Sequence, residues 1–511
     1  MAKEIMKVRV KAGAYDPEKT RTELLAVGVF SDGRDGKYLR SVDRLLAGAV
    51  GQVRKLGDFK AKEGTTAVLY GDKARGPQRV LLVGLGERKK MEVETFRRAA
   101  VKAACAAVDL RVGKCVLALD ADAPAGRLDA EHLGEALCGG ACFGAYRYDE
   151  YVSDNDEARA KKLEVVIAEG GATRGPRFAR GMKTGNTVGQ AQSFARTIMN
   201  RPANVISPGA LAAIAGKLAK ETPGLSCTVL DDRQIKAKGM GGLMAVGQGS
   251  ANRPRLIVLK YSAGARGGKD RKTIGLVGKA ITFDSGGISI KPSAGMQDMK
   301  FDKSGGVAVL GAMKAIAELK CGVDVYGIIP SAENMPGGMS YRPGDIVETY
   351  SGKTVEIQNT DAEGRMILCD AIAYAKELKC DAIVDIATLT GACVVALGEG
   401  MAGVMGHSDK LVEKVRKASE RSGEKVWHLP CGEEFLEQMK SKIADLKNIG
   451  GKWGGACTAG AFLGEFAGDV EWAHIDMAGT GMVDGATKYG TSGSIGFGVR
   501  LLTALVAGFG S

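Results

Sequence analysis

Apolar residues fall in short blocks through the first third of the chain. Leu24 to Phe30 is an unbroken apolar run, and Ala67 to Tyr70 and Arg79 to Val83 are two more, each of strand length. Val93 to Val108 is Ala-rich with helical spacing, Val116 to Leu119 and Leu163 to Ile167 are further strands, and His132 to Tyr146 between them is helical. Arg147 to Arg159 is polar and charged, as a surface loop would be. From about 205 strands and helices alternate. Helix Gly209 to Glu221 leads to strand Ser226 to Leu230. Helix Asp232 to Lys238 is followed by strands Arg255 to Tyr261 and Thr273 to Val277. Then come helix Gly305 to Leu319, strand Val323 to Pro330, strand Thr354 to Asn359, helix Arg365 to Leu378, strand Ala382 to Ala387 and helix Leu411 to Ser422. Such alternation predicts an α/β protein with a largely parallel sheet flanked by helices. The polar, Gly-containing stretch Gly181 to Thr187 marks the expected boundary. It gives a smaller N-terminal α/β domain (1–185) and a larger C-terminal domain (186–511) on a central mixed sheet, joined by a helix at about 188–199.

A length of 511 residues, with 45% hydrophobic and 25% charged, suits a globular protein of several domains and adds little more. Charge adds one question. The net value of +12 allows DNA binding as a second role, but it is dispersed; the densest stretches, Arg88 to Lys90 and Lys269 to Lys272, are short. No apolar run approaches a membrane span, and Met1-Ala2-Lys3-Glu4 opens no secretory signal, so a cytoplasmic location is expected. The 11 cysteines are scattered without a Cys-x-x-Cys pair, and the four histidines are far apart. A Cys-rich or His-x-x-x-His zinc site is therefore excluded, and any bound metal must rely on oxygen ligands.

Two apparent nucleotide motifs fail. Gly84-Leu85-Gly86 follows a strand, but position 89 is Lys89 where a dinucleotide fingerprint needs glycine. Gly352-Lys353-Thr354 resembles the end of a phosphate-binding loop, but position 347 is Val347 and a strand follows.

Carboxylates gather at strand ends of the second half. Asp284 precedes a Ser285-Gly286-Gly287 turn, with Lys279 before it and Lys291 after it; Asp298 and Asp302 stand just before Gly305-Gly306. Asp361 and Glu363 follow strand Thr354 to Asn359 and are separated only by Ala362. Each alone reads as a helix cap or a solvated acid. Together they could supply the oxygens of a two-metal site, a centre that serves phosphatases, nucleases and peptidases alike.

The stretch Asn359-Thr360-Asp361-Ala362-Glu363-Gly364-Arg365 resembles the signature of the cytosol (leucyl) aminopeptidase family. Val277-Gly278-Lys279, Phe283-Asp284-Ser285-Gly286-Gly287 and Lys291-Pro292 are similar to its other main motif, and the likeness extends over about 195–511 through Asn334-Met335-Pro336 and Arg342-Pro343-Gly344-Asp345. The resemblance implies release of N-terminal residues from peptides, leucine preferred, with two divalent ions (Mn²⁺ or Zn²⁺) per subunit of a homohexamer. It implies that Asp284 and Glu363 bridge the metals, that Asp361 completes one site, and that Asp302 and an unprotonated Lys279 complete the other. Lys291 would stabilise the gem-diolate, and Arg365 would hold a bicarbonate that serves as general base. Met299, Thr388 and Gly391 are candidate liners of the side-chain pocket. His474 and Asp476, at the strand end Trp472 to Asp476, read as structural groups that satisfy backbone partners.

Overall fold

The computed structural model describes residues 6–32, 35–72, 76–119, 128–153, 162–170, 173–264, 271–483 and 493–510. Parts of two expected stretches, 154–159 of the polar loop and 269–270 of the basic cluster, lie outside them. The described residues up to Ser193 form one compact unit, and those from Phe194 onward form another.

The first unit is built on β1 (Lys7–Gly13), β2 (Leu24–Phe30), β3 (Thr66–Tyr70), β4 (Arg79–Gly86), β5 (Lys114–Ala118) and β6 (Lys162–Ala168). Their order is β1-β6-β5-β2-β4-β3, parallel throughout except for the β3–β4 pair. The unbroken apolar run of β2 reflects a central strand covered on both faces. Leu24, Ala26 and Phe30 pack with Phe96, Ala100 and Ala104 of helix Val93–Asp109. Leu25, Val27 and Val29 pack with Leu39 and Val42 of helix Lys37–Leu45. Gly84 answers to packing: a Cβ there would lie 2.1 Å from the Lys62 carbonyl oxygen.

One sequence expectation is corrected here. The helix expected at about 188–199 starts earlier: a single helix runs from Pro176 to Asn200, twelve residues longer at its start, and takes in the polar stretch Gly181 to Thr187. Its glycines are contact points. A Cβ at Gly181 would fall 1.8 Å from the Glu131 carbonyl oxygen, and one at Gly185 would fall 2.4 Å from that of Glu135. Close helix packing, which sequence alone reads as loop composition, requires glycine at both.

The second unit holds β7 (Leu225–Leu230), β8 (Arg255–Tyr261), β9 (Thr273–Gly278), β10 (Ala280–Asp284), β11 (Asp324–Asn334), β12 (Ile346–Glu348), β13 (Thr354–Glu356), β14 (Ala382–Ala387), β15 (Ala402–Gly406), β16 (Val426–His428), β17 (Leu446–Lys447) and β18 (Glu471–Asp476). Nine strands make a mixed sheet in the order β16-β15-β18-β14-β9-β11-β8-β7, with β10 paired to β11. The central strands β18, β14, β9, β11 and β10 are mutually parallel. Helix Ser304–Leu319 covers one face, where Gly278 lets the sheet approach Gly306; helix Glu363–Glu377 covers the other, where Gly275 faces Ala375.

Strand Thr354 to Asn359 also needs correction. Only Thr354–Glu356 is extended, and it belongs to a separate sheet, β12-β13-β17. The Ile357 N–H still donates to the Asp345 carbonyl oxygen beside β12, but the N–H groups of Gln358 and Asn359 turn away to the Asn448 side chain.

Candidate metal centre

Parallel strands place their C-terminal ends together, where α/β sheets carry their ligands. Lys279 follows β9, Asp284 closes β10, Asn334 closes β11 and Thr388 follows β14. Asp302 lies one residue before the end of the 3₁₀ turn Met296–Lys303, and Glu363 opens helix Glu363–Glu377. Asp284, Asp361 and Glu363 each offer an oxygen within 4.8 Å of the others. Asp298 and Asp302, the other two acids of the sequence constellation, are not among these three; Asp302 stands beside Lys279, and Asp298 accepts from Gln297.

Two ammonium groups interleave with the acids. Lys279 Nζ lies 2.7 Å from Asp302 Oδ1 and 2.8 Å from Glu363 Oε1, and donates to the Thr388 carbonyl oxygen at 2.7 Å. Lys291 Nζ lies 2.9 Å from Asp284 Oδ2 and 2.5 Å from Asp361 Oδ1. Burial alone would pull both lysines down. The carboxylates outweigh it and hold them above their ordinary range, with Asp302, Glu363 and Asp284 around Lys279, and Asp284 and Asp361 around Lys291. Burial, reinforced by Asp284, pushes Glu363 up; burial likewise raises Asp302. Four acids against two lysines leave negative charge to spare. Asp302 Oδ2 is buried without a hydrogen bond. A divalent cation answers both features, so the donor set fits metal.

The scaffold fixes each acid. Asp284 Oδ1 accepts from the Gly286 N–H at 2.9 Å and from Asn334 Nδ2 at 2.8 Å. Asn334 Nδ2 also donates to the Thr360 carbonyl oxygen, which accepts from Tyr341 as well. Thr360 Oγ1 donates to the Gly286 carbonyl oxygen at 2.6 Å and so ties the two carboxylate turns to one another. Gly286 has φ +85°, and a Cβ there would lie 2.4 Å from the Ser289 carbonyl oxygen. Gly364 makes room for Lys279: a Cβ would stand 2.7 Å from its Cε and 2.8 Å from its Nζ.

Of the candidate pocket residues, Thr388 is bound into the centre itself, its Oγ1 donating to Asp302 at 2.7 Å. Met299 is half-buried, and Gly391 is exposed at the start of helix Gly391–Leu397, with open space where a Cβ would stand. Arg365 is buried, and desolvation lowers it to about 10.

Three groups escape a sequence reading. Asn334 joins Asp284 to Thr360, although its motif is visible in the chain. Asn448 reaches the signature turn from a loop nearly ninety residues away, and no local pattern announces it. Lys303 is wholly buried, its Nζ donating to the carbonyl oxygens of Met199, Arg201 and Lys300. His474 and Asp476 act within the sheet: His474 Nδ1 pairs with Asp385 Oδ1 at 2.5 Å, and Asp476 accepts from Thr390 and from the Leu389 and Ala478 N–H groups.

Comparison with known proteins agrees with this architecture. Residues 193–503 match the cytosol aminopeptidase family, catalytic domain, and residues 26–155 match the family's N-terminal domain. A probable cytosol aminopeptidase of Syntrophotalea carbinolica is 41% identical over 98% of this chain and 99% of its own length. One from Pseudomonas paraeruginosa is 42% identical over 96% and 97%. Among solved structures, a mutant of tomato leucine aminopeptidase superposes with a TM-score of 0.87 at 32% identity, covering 99% of this chain and 97% of that one. The bottromycin maturation enzyme BotP in complex with Mn gives 0.83 at 34%, covering 96% and 100%. The chain belongs to the cytosol aminopeptidase family and is a peptidase, a hydrolase that acts at peptide N-termini.

Proposed function

We propose that this aminopeptidase is a two-metal enzyme that prefers N-terminal leucine while accepting other apolar residues. The observation that carries the reading is the convergence of Asp284, Asp361 and Glu363 within 4.8 Å, with Asp302 and Lys279 alongside. Those five residues would hold two divalent ions, Mn²⁺ or Zn²⁺, with Lys279 giving up its proton to offer a neutral amine; the manganese complex of the BotP neighbour is compatible with the first. When bound, the ions supply a water of lowered pKa and polarise the scissile carbonyl.

The chain's own residues do the rest. Asn334 and the Gly286 N–H orient Asp284, so the acid needs little reorganisation when it binds. Lys291 is the more accessible lysine and stabilises negative charge as it develops on the substrate carbonyl oxygen. Arg365 stays cationic at neutral pH and would hold an anion, for which bicarbonate is the candidate; bound there, it would supply a general base, which the arginine itself cannot be. An apolar side-chain pocket beside Met299, Thr388 and Gly391 separates aliphatic residues by only about 1–3 kcal/mol per methylene, which favours broad specificity.

The test is hydrolysis of leucine p-nitroanilide by chelated enzyme resupplied with Mn²⁺ or Zn²⁺, beside Glu363→Ala and a phosphate ester control. Metal-dependent anilide cleavage lost in the variant is the expected result; equal rates from both proteins would overturn the reading. Cytoplasmic location and homohexamer formation belong to the same proposal; light scattering reads the latter. No helix among the described residues is long and apolar enough to cross a membrane. The net charge of +12 keeps duplex-DNA binding as a separate proposal, which the absence of a gel shift at low salt would remove.

A further inference from the structure

Arg365 is buried in the site and yet its side chain makes a single hydrogen bond among the described residues. Its Nη1 donates to the backbone carbonyl oxygen of Asn448 at 2.9 Å, while Nε is buried without a partner. A guanidinium has five N–H donors, so one bond leaves four free for a ligand and leaves orientation to the single anchor. Where the Asn448 carbonyl stands therefore decides where Arg365 points.

Asn448 is itself completely buried and engaged at every polar atom. Its N–H donates to the Glu356 carbonyl oxygen at 3.0 Å. Its side-chain Oδ1 accepts from the N–H groups of Gln358 at 2.8 Å and Asn359 at 3.2 Å, and Nδ2 donates to the Asn359 carbonyl oxygen at 2.6 Å. The amide thus grips the backbone immediately before Asp361 and Glu363 in both directions. Aspartate lacks the donor, and alanine or leucine lacks everything; only an amide on so short a stem does both.

We propose, resting on the two-metal reading above, that Asn448 is a positioning residue for the reaction. It registers the Arg365 guanidinium against the turn that carries Asp361 and Glu363. Its side chain sets the turn, its carbonyl sets the arginine, and the short path between them ties the two together. The competing role is a clamp that merely fastens β17 to β13. The two differ in what they move: a clamp affects the melting temperature, whereas a positioning residue affects turnover in protein that is folded and fully metallated.

The test uses the full chain as Asn448→Ala and Asn448→Asp, each beside wild type and Glu363→Ala, with bound metal counted and the visible absorption of the Co²⁺-substituted protein recorded. Displacing reacting groups by about 1 Å costs up to about 100-fold. The expected result for Asn448→Ala is a kcat fall of about 10- to 100-fold, with KM within about twofold, metal content at the wild-type level and an altered Co²⁺ spectrum. Asn448→Asp keeps both acceptor contacts and is read in the same way should the alanine variant melt too early. Unchanged kcat and spectrum in whichever variant is folded would overturn the proposal, as would a loss of activity wholly explained by lost metal. A wild type without metal-dependent peptidase activity would instead overturn the two-metal reading, so the two failures are distinguishable.

Discussion

Gly364→Ala tests catalytic placement at a modest cost in stability, because a gain in helix propensity partly offsets the crowding it creates. Gly364 lies in the first turn of helix Glu363–Glu377, where alanine is favoured over glycine by up to about 1 kcal/mol on helix propensity. The added Cβ, however, would stand 2.7 Å from Lys279 Cε, 2.8 Å from its Nζ and 2.9 Å from Leu389 Cδ1. Carbon atoms rest at about 3.5–4.0 Å from one another, so the lysine must retreat by about 1 Å. It has little freedom to do so, being buried and held by Asp302, Glu363 and the Thr388 carbonyl oxygen at 2.7–2.8 Å. A displacement of that size in a reacting constellation costs up to about 100-fold, about 2.7 kcal/mol of barrier. The assay pairs leucine p-nitroanilide kinetics at saturating Mn²⁺ with a thermal melt. The expected outcome is a kcat/KM lower by about 10- to 100-fold in folded protein, with a melting temperature lowered only modestly, because an overpacking cost of about 1–3 kcal/mol is partly offset by the propensity gain. Wild-type kcat/KM in Gly364→Ala would refute the argument that Lys279 must occupy that space.

Three further predictions follow from the same geometry. Asn334→Ala removes the amide that joins Asp284 to Thr360 and leaves two buried acceptors short of a donor, so it should lower both stability, by about 1–3 kcal/mol in denaturant melts, and metal affinity in equilibrium dialysis. Asp370 is wholly buried, and desolvation pushes it up to about 7 despite the Tyr350 and Leu243 N–H groups that it accepts from. Its folded-state pKa lies above the unfolded value of about 3.9, so the native protein keeps a proton that the unfolded chain has lost, and stability falls as pH rises from about 4 to about 7. Asp370→Asn should flatten that part of the melting-temperature profile, whereas an unchanged slope would assign it to other groups. Finally, Mn²⁺ added to chelated enzyme should raise the melting temperature with concentration, by mass action on a site that only the folded chain possesses, and Glu363→Ala should lose most of that rise.

The alternation of apolar strands with helices was legible because each buried strand, such as Leu24 to Phe30, is short and continuous, and parallel sheets need crossovers of helical length. The carboxylates were legible because glycine and other small residues crowd around them. The errors have a common cause, which is packing at a distance. Gly181 and Gly185 look like loop residues until the carbonyl groups of Glu131 and Glu135 are seen against them. Gln358 and Asn359 look like strand until Asn448 takes their N–H groups. The bond from Thr388 to Asp302, 86 residues away, is likewise invisible in the chain, because nothing in the neighbourhood of Thr388 announces it.

Metal stoichiometry measured together with turnover tests the central claim most directly. Enzyme stripped by chelation and titrated with Mn²⁺ should regain leucine p-nitroanilide hydrolysis as bound metal approaches two ions per chain, and Glu363→Ala should neither bind two ions nor recover activity. Full activity in the stripped enzyme, or equal binding and rate in Glu363→Ala, would contradict the assignment of Asp284, Asp302, Asp361, Glu363 and Lys279 as a dinuclear centre.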